Sequence, residues 1–108
     1  MIHEEICTYE VCKLAKEKGF DVPTLKNYRH ERGETCNAPT QSLLQRWLRE
    51  EKGIIIELKY SDDTESFRPF WSWQIYNTLG ITLEIGEPNT TYELALEYAL
   101  KYALENLV

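Results

Sequence analysis

Three cysteines and two histidines are the side chains in this sequence best suited to bind a metal ion. Cys7, Cys12 and Cys36 supply thiols, and His3 and His30 supply imidazoles. No CxxC or HxxxH spacing relates them, and on one helix Cys7 and Cys12 would point about 140° apart. An odd number of cysteines without a framework spacing is typical of free thiols in a reducing cytoplasm. The sequence therefore predicts structural thiols rather than a metal site.

A group of carboxylates at Asp62, Asp63 and Glu65 could take part in acid–base chemistry or hold a divalent cation. It lacks the glycine and the ligand spacing of a calcium loop, so the pattern is more typical of a solvated hairpin turn. Nucleophilic catalysis needs a base beside a serine or cysteine, and only the two histidines are available. The sequence also contains no GxSxG, HExxH, phosphate-loop or dinucleotide-binding motif. We therefore expect that the protein is not an enzyme and that it binds no cofactor.

Basic side chains at Arg46, Arg49 and Lys52 follow the polar side of a predicted helix. Cations in this arrangement are favoured contacts to nucleic-acid phosphates. Glu50 and Glu51 interrupt the patch, and Lys52 is also suited to the negative end of the helix dipole. A charged solvent face is therefore the simpler interpretation, and nucleic-acid binding through these three residues is the alternative.

The aromatic residues around position 70 allow two interpretations. Trp71 and Trp73 alternate with polar residues, which favours core positions on a half-buried strand over a stacking platform for bases. Phe70, Tyr76 and Ile55 fall on the other face of the sheet. They are either candidates for the surface or covered by the first helix, which has to bury Val11 and Leu14.

The last predicted helix is apolar around most of its circumference. Its core-facing side carries leucines and alanines, and Leu94, Tyr98 and Tyr102 extend the apolar surface sideways. A helix of this kind on a small protein is either nearly enclosed or offers a surface to a partner. Tyrosine and leucine are typical of interface centres, so a partner surface and simple burial are equally well supported. These three residues are the candidate protein interface.

Helical periodicity and capping residues predict three helices, over residues 8–18, 40–52 and 91–107. Alternating apolar residues predict strands over 54–60, 67–76 and 81–85, with pairing interrupted near Pro69. Such alternation is typical of an antiparallel sheet covered on one side. Residues 20–39 show no regular pattern. A further short strand over residues 25–29 is one possibility in this segment.

We therefore predict an α+β fold in the order α-(irregular)-α-β-β-β-α, with a three-stranded antiparallel meander and helices mainly on one face. At 108 residues the chain fits one compact domain, in which residues 1–39 pack on an αβββα core at 40–108. No apolar run is long enough to span a membrane and no secretory signal is present, which indicates a cytoplasmic protein.

The net charge of −6 lies entirely in the second half of the sequence. Residues 1–53 carry equal numbers of acidic and basic side chains, whereas residues 54–108 carry nine acids and only Lys59, Arg68 and Lys101 as bases. An acidic balance disfavours polyphosphate partners, because these require lysine and arginine to displace counterions.

Two segments, 38–54 with its WLRE tetrapeptide at 47–50 and 91–100 with its Ala-Leu repeat, resemble a family of small uncharacterised proteins. That family is found in Bacteroides-type gut bacteria and their phages or mobile elements. The resemblance covers about the last seventy residues and, more loosely, the first helix and residues 19–23. It implies kinship but no activity, so it transfers no site residue.

A second resemblance concerns topology alone. Residues 40–108, in the order α-β-β-β-α, are similar to a double-stranded RNA-binding domain. That family binds through a basic motif at the start of its last helix and a histidine-bearing loop between its first two strands. The matching positions here, 90–95 and 62–65, are acidic and would repel phosphate. Fold alone does not imply function. The sequence is therefore most typical of a small accessory domain that acts through protein contacts or self-association.

Overall fold

The computed structural model describes residues 4–24, 26–29, 35–63 and 68–108. Its elements, in chain order, are α1 (Tyr9–Glu17), β1 (Asn27–Arg29), β2 (Thr35–Asn37), α2 (Gln41–Lys52), β3 (Ile55–Asp63), β4 (Arg68–Tyr76), β5 (Thr82–Ile85) and α3 (Tyr92–Asn106).

The predicted α+β class and the order of the main elements are confirmed. Strands β3, β4 and β5 form an antiparallel meander, and the helices lie on one face of it. The segment that the sequence left irregular contains β1 and β2, so residues 27–29 do form a strand. They pair with β2, from Asn27 opposite Asn37 to Arg29 opposite Thr35, in a separate two-stranded sheet.

Each helix begins after a threonine whose hydroxyl accepts a hydrogen bond from the backbone. The donors are the N–H groups of Val11 at 3.4 Å, Leu43 at 3.2 Å and Leu94 at 3.1 Å. These bonds satisfy donors that have no partner inside the helix. Helix α2 ends at Gly53, whose φ of 66° is left-handed and therefore suits glycine. The helices accordingly start and stop within one residue of the predicted positions.

Helix α3 lies at the centre of the core. Its inward side consists of small and branched residues that are fully or almost fully buried, including Leu96, Ala99, Leu100, Ala103 and Leu104. It packs on β3 and β4, while α1 and α2 pack against its flanks. Each leucine so buried contributes about 1.5–3 kcal/mol relative to exposure. Of the described helices, none has the length and apolar character needed to cross a bilayer.

The hairpin between β3 and β4 is longer than predicted. Strand β3 continues to Asp63, so Asp62 and Asp63 belong to a strand rather than to a turn, and Glu65 lies outside the described residues. Pairing also continues through Pro69, opposite Asp62. The N–H of Trp71 donates to Asn89 O, away from β3, at 2.7 Å. Because backbone direction alternates, the nitrogen of Pro69 also faces away from β3, and no ladder bond is lost.

Strand β5 does not turn its apolar side towards the helices. The exposed side chains include Ile81, Leu83 and Ile85, whereas Glu84 lies opposite Ile75 on the side that α3 covers. The ladder shifts register between Ile75 and Tyr76, which resets the alternation. The short edge strand therefore presents its apolar residues to solvent.

Helix α1 does not cover the outer face of the sheet. It packs on α3 and β2, and Val11 is buried there. Phe70, Tyr76 and Ile55 on the outer face are half-buried. Of the two alternatives, cover by the first helix is therefore the one that the structure does not show, because α1 packs on α3 and β2.

Candidate functional site

A cleft of about 490 Å³ lies between α3 and the chain that leads from β5 to α3. Two of the three predicted interface residues, Tyr98 and Tyr102, line it because they are four positions apart on one helix face. Leu94, one turn before Tyr98, is exposed outside the cleft. The full lining comprises Trp73, Glu87, Asn89, Tyr98, Lys101, Tyr102 and Glu105.

The cleft has an aromatic floor and an aromatic wall. Trp73 is only 6% exposed and lies beside Tyr102, with 5.6 Å between ring centroids. Tyr98, by contrast, is 52% exposed. Trp73 is a core residue, as the alternation in the sequence predicted, but one edge of its side chain reaches the cleft. Nothing in the local sequence could reveal this, because the residues that complete the cleft are more than ten positions away.

Gly86 allows the chain after β5 to lie directly against the Trp73 ring. Its N–H donates to Trp73 O at 2.8 Å, and a Cβ on Gly86 would fall 1.8 Å from Trp73 Cε2. That distance is impossible for a real side chain, so only glycine permits this approach without a shift of the ring. Three residues farther along the chain, Asn89 exchanges backbone hydrogen bonds with Trp71. The floor of the cleft is therefore held by backbone pairing.

A hydrogen bond between the Tyr102 hydroxyl and the Glu84 carboxylate connects α3 with β5. This bond lowers the pKa of Glu84, and the N–H of Ile85, which donates to the same carboxylate at 3.1 Å, lowers it further. The same hydrogen bond raises the pKa of Tyr102, with additional contributions from desolvation and the Glu84 charge. Tyr102 is thereby held as a neutral donor at the inner end of the cleft.

Lys101 is the one basic side chain in the cleft lining, and acids surround it. Its ammonium lies 2.9 Å from Glu10 Oε1 and 3.8 Å from Glu105 Oε1. The hydrogen bond to Glu10 and the two negative charges raise the pKa of Lys101. Since Lys101 is already paired, Glu87 at the opposite rim leaves the cleft with negative character.

Glu97 on α3 occupies a structural position between the starts of α1 and α2. The Thr8 N–H donates to Glu97 Oε1 at 2.6 Å, and Gln41 Nε2 donates to Glu97 Oε2 at 2.9 Å. Gln41 Nε2 also donates to Glu93 O at 2.8 Å. One carboxylate on α3 therefore joins the starts of α1 and α2.

Two of the cysteines meet in the core. Cys7 and Cys12 are buried, and Cys12 Sγ donates to Cys7 O at 3.6 Å. A hydrogen bond between the thiols, together with burial, raises the pKa of Cys7. The separation of about 140° holds only for two residues on one helix, and it does not apply here because Cys7 precedes the cap residue Thr8. Cys36 is buried on β2, and all three thiols are free of disulfides.

The remaining candidates for metal binding do not extend this pair. His3 and His30 lie outside the described residues. Within the described ranges, no group of three or more histidine, cysteine, aspartate or glutamate side chains is placed to hold a metal ion.

The basic residues of α2 share its exposed side but are partly engaged with neighbours. Arg46 Nε lies 3.2 Å from Glu50 Oε1, and Lys52 Nζ lies 5.3 Å from the centroid of the Trp47 ring. Arg49 is exposed. Surface pairs of this kind are weak, so a phosphate could displace them, but they reduce the charge that the helix presents.

Comparison of the chain with protein-family models, with curated proteins and with solved structures finds no match. The resemblance to the Bacteroides-type family and the similarity to double-stranded RNA-binding topology therefore stay predictions. The function has to be argued from the cleft and the charges themselves.

Proposed function

We propose that this protein is a non-enzymatic, cytoplasmic interaction domain that binds a partner protein through the cleft beside α3. The observation that carries the proposal is that one cleft is lined by both the half-exposed Tyr98 and the buried Trp73. A concave site with an aromatic floor gives a partner a place to bury an anchor residue, which is where interfaces concentrate their binding energy.

The surface around the cleft supports a protein partner. Leu94 and Tyr92 on α3 are exposed, so apolar area continues along the helix beyond the cleft. Tyrosine, tryptophan and other large side chains are enriched at the centres of interfaces, whereas the acids and Lys101 form the kind of polar rim that surrounds such centres. Within this proposal, the partner is either a different protein or a second copy of this chain.

The proposal is tested by changing Tyr98 to glutamate. Tyr60 is the matched control, because it is a tyrosine that is 53% exposed, against 52% for Tyr98, and it lies on β3 outside the cleft lining. A photo-crosslinking residue placed at position 98 or at position 60 then identifies peptides in contact with each site. We expect crosslinks from position 98 to recur on a defined peptide, and the affinity of its parent protein to fall in Y98E but not in Y60E.

Sedimentation velocity over a range of protein concentrations separates the two kinds of partner. If the wild type associates with itself and Y98E does not, while Y60E does, the partner is a second copy of the chain. If the wild type stays monomeric and Y98E and Y60E bind every crosslinked protein equally well, the cleft is not the interface and the proposal fails.

The alternative function, nucleic-acid binding through Arg46, Arg49 and Lys52, has the exposed side of α2 in its favour. The intramolecular contacts of Arg46 and Lys52 and the acidic total count against it. The proposed function uses the acidic cleft beside α3, whereas the alternative uses the basic residues of α2. A titration of the protein with nucleic acid therefore distinguishes the two functions.

A further inference from the structure

The charge and shape of the cleft identify the kind of group it would receive. Resting on the proposed interaction function, we infer that the cleft binds a cationic side chain, lysine or arginine, from a basic segment of the partner protein. Three features carry this inference: the aromatic surfaces, the balance of charge at the rim and the volume.

The exposed ring of Tyr98, with Tyr102 four positions further along the same helix face, suits a cation with an apolar stem. A ring attracts an ammonium or guanidinium group that lies within about 6 Å of its centroid. The chain already contains such a contact, because Lys52 Nζ lies 5.3 Å from the centroid of the Trp47 ring. At the cleft, the ammonium of Lys101 is drawn to Glu10 instead.

The rim charges favour a cation and oppose an anion. Glu87 and Glu105 line the cleft, and Glu84 lies behind Tyr102. The single base, Lys101, is paired with Glu10 and Glu105. The same sign prevails over residues 54–108, which carry nine acids and three bases. This field would raise the local concentration of a basic segment and repel an acidic one.

The volume of about 490 Å³ exceeds what one side chain fills, and it lies within the range of small-molecule pockets. An arginine or lysine could therefore enter together with the backbone that carries it. The partner proposed here is a flexible basic segment rather than a compact surface, because a long stem on such a segment can enter the cleft and reach the rings of Tyr98 and Tyr102.

The probe for this inference is a twelve-residue peptide of glycine and serine with four arginines, compared with a peptide in which citrulline replaces each arginine. Citrulline keeps the shape and removes the charge. Binding is followed by amide and indole N–H chemical shifts of the protein. We expect the arginine peptide to shift the Trp73 indole and the amides at 86–89 and 98–105, and the citrulline peptide to bind at least threefold more weakly, since the loss of charge removes both the ring and the rim attraction.

Two pairs of variants localise the effect. Glu87→Gln removes a charge at the rim, and Glu57→Gln removes one from an exposed position on β3 outside the cleft. Tyr98→Ala removes the aromatic wall, and Tyr60→Ala removes an equally exposed tyrosine elsewhere. We expect E87Q and Y98A to weaken binding of the arginine peptide by about threefold or more, and E57Q and Y60A to leave it nearly unchanged.

Three results would overturn the inference: equal binding of both peptides, shifts away from the cleft, or equal losses in E87Q and E57Q. The last would mean that the peptide senses only the net charge. None of these results bears on crosslinking at position 98. A cleft that binds its partner through an uncharged anchor would therefore fail this test and still satisfy the proposed function.

Discussion

At the scale of single residues, Glu97 has a structural role that its position in the sequence does not reveal. Its two carboxylate oxygens accept hydrogen bonds from elements at the opposite end of the sequence, the Thr8 N–H and the Gln41 side chain. Hydrogen bonds to an ionised group contribute more than those between neutral groups. Because the first of these bonds also satisfies a donor at the start of α1, Glu97 acts as an external cap for that helix.

We predict that Glu97→Ala lowers the free energy of unfolding by about 1–2 kcal/mol, since it removes two charge-assisted bonds that solvent partly screens. Glu97→Gln should cost less, because its amide oxygen can still accept from Thr8, whereas its amide nitrogen cannot accept from Gln41. Urea denaturation measures both. The control is Glu51→Ala on α2, an exposed glutamate for which we expect less than about 0.5 kcal/mol. Equal midpoints for E97A and E51A would contradict this role.

The residues that line the cleft show how much of the site could be predicted from the sequence. Periodicity assigned Tyr98 and Tyr102 to one helix face, because that depends only on local geometry. It could not place Trp73, Gly86 or Glu87 beside them, because their proximity depends on how β5 returns along β4.

At the scale of elements, the three helices and the meander were predictable because capping threonines, apolar spacing and alternation are all local signals. The face of β5 was not. A strand of four residues at a sheet edge, next to a register shift, contains too few alternations to fix its orientation. In the structure Glu84 lies opposite Ile75 on the side of β5 that α3 covers, and a hydrogen bond with Tyr102 on α3 lowers its pKa.

We predict that Tyr102→Phe raises the pKa of Glu84 towards the ordinary value of about 4.3, because it removes the hydrogen bond that lowers it most. A carboxyl whose pKa is depressed in the folded state stabilises that state above its ordinary pKa. This contribution disappears as the pH falls through the lower folded value. The stability difference between the wild type and Y102F should therefore be full near pH 6 and shrink below about pH 4.

Carbon-detected NMR of the Glu84 carboxyl reports its pKa directly, and thermal unfolding at several pH values reports the stability difference. Tyr60→Phe serves as the control, because Tyr60 makes an edge contact with Trp71 and lies on the opposite edge strand of the sheet. An unchanged Glu84 titration in Y102F would mean that the bond with Tyr102 does not lower the pKa of Glu84.

At the scale of the whole molecule, the distribution of charge discriminates between the candidate functions better than the fold does. The order α-β-β-β-α over residues 40–108 would be compatible with several functions. The distribution of charge is more restrictive, because the cleft beside α3 is acidic while the bases of α2 sit among Glu50 and Glu51. A basic protein segment and a nucleic acid therefore require different surfaces of this molecule.

The titration that separates them uses a duplex of about 20 base pairs at about 50 mM salt, where electrostatic binding is strongest, with amide shifts as the readout. We expect no salt-sensitive shifts at residues 45–52, because Arg46 pairs with Glu50 and the net charge is −6. Shifts there that vanish with added salt, and that are absent when Arg46, Arg49 and Lys52 are all changed to glutamate, would assign the protein to nucleic acid instead. Since counterion release scales with the phosphates neutralised, three bases give a shallow salt dependence, and a steep one would require further basic contacts.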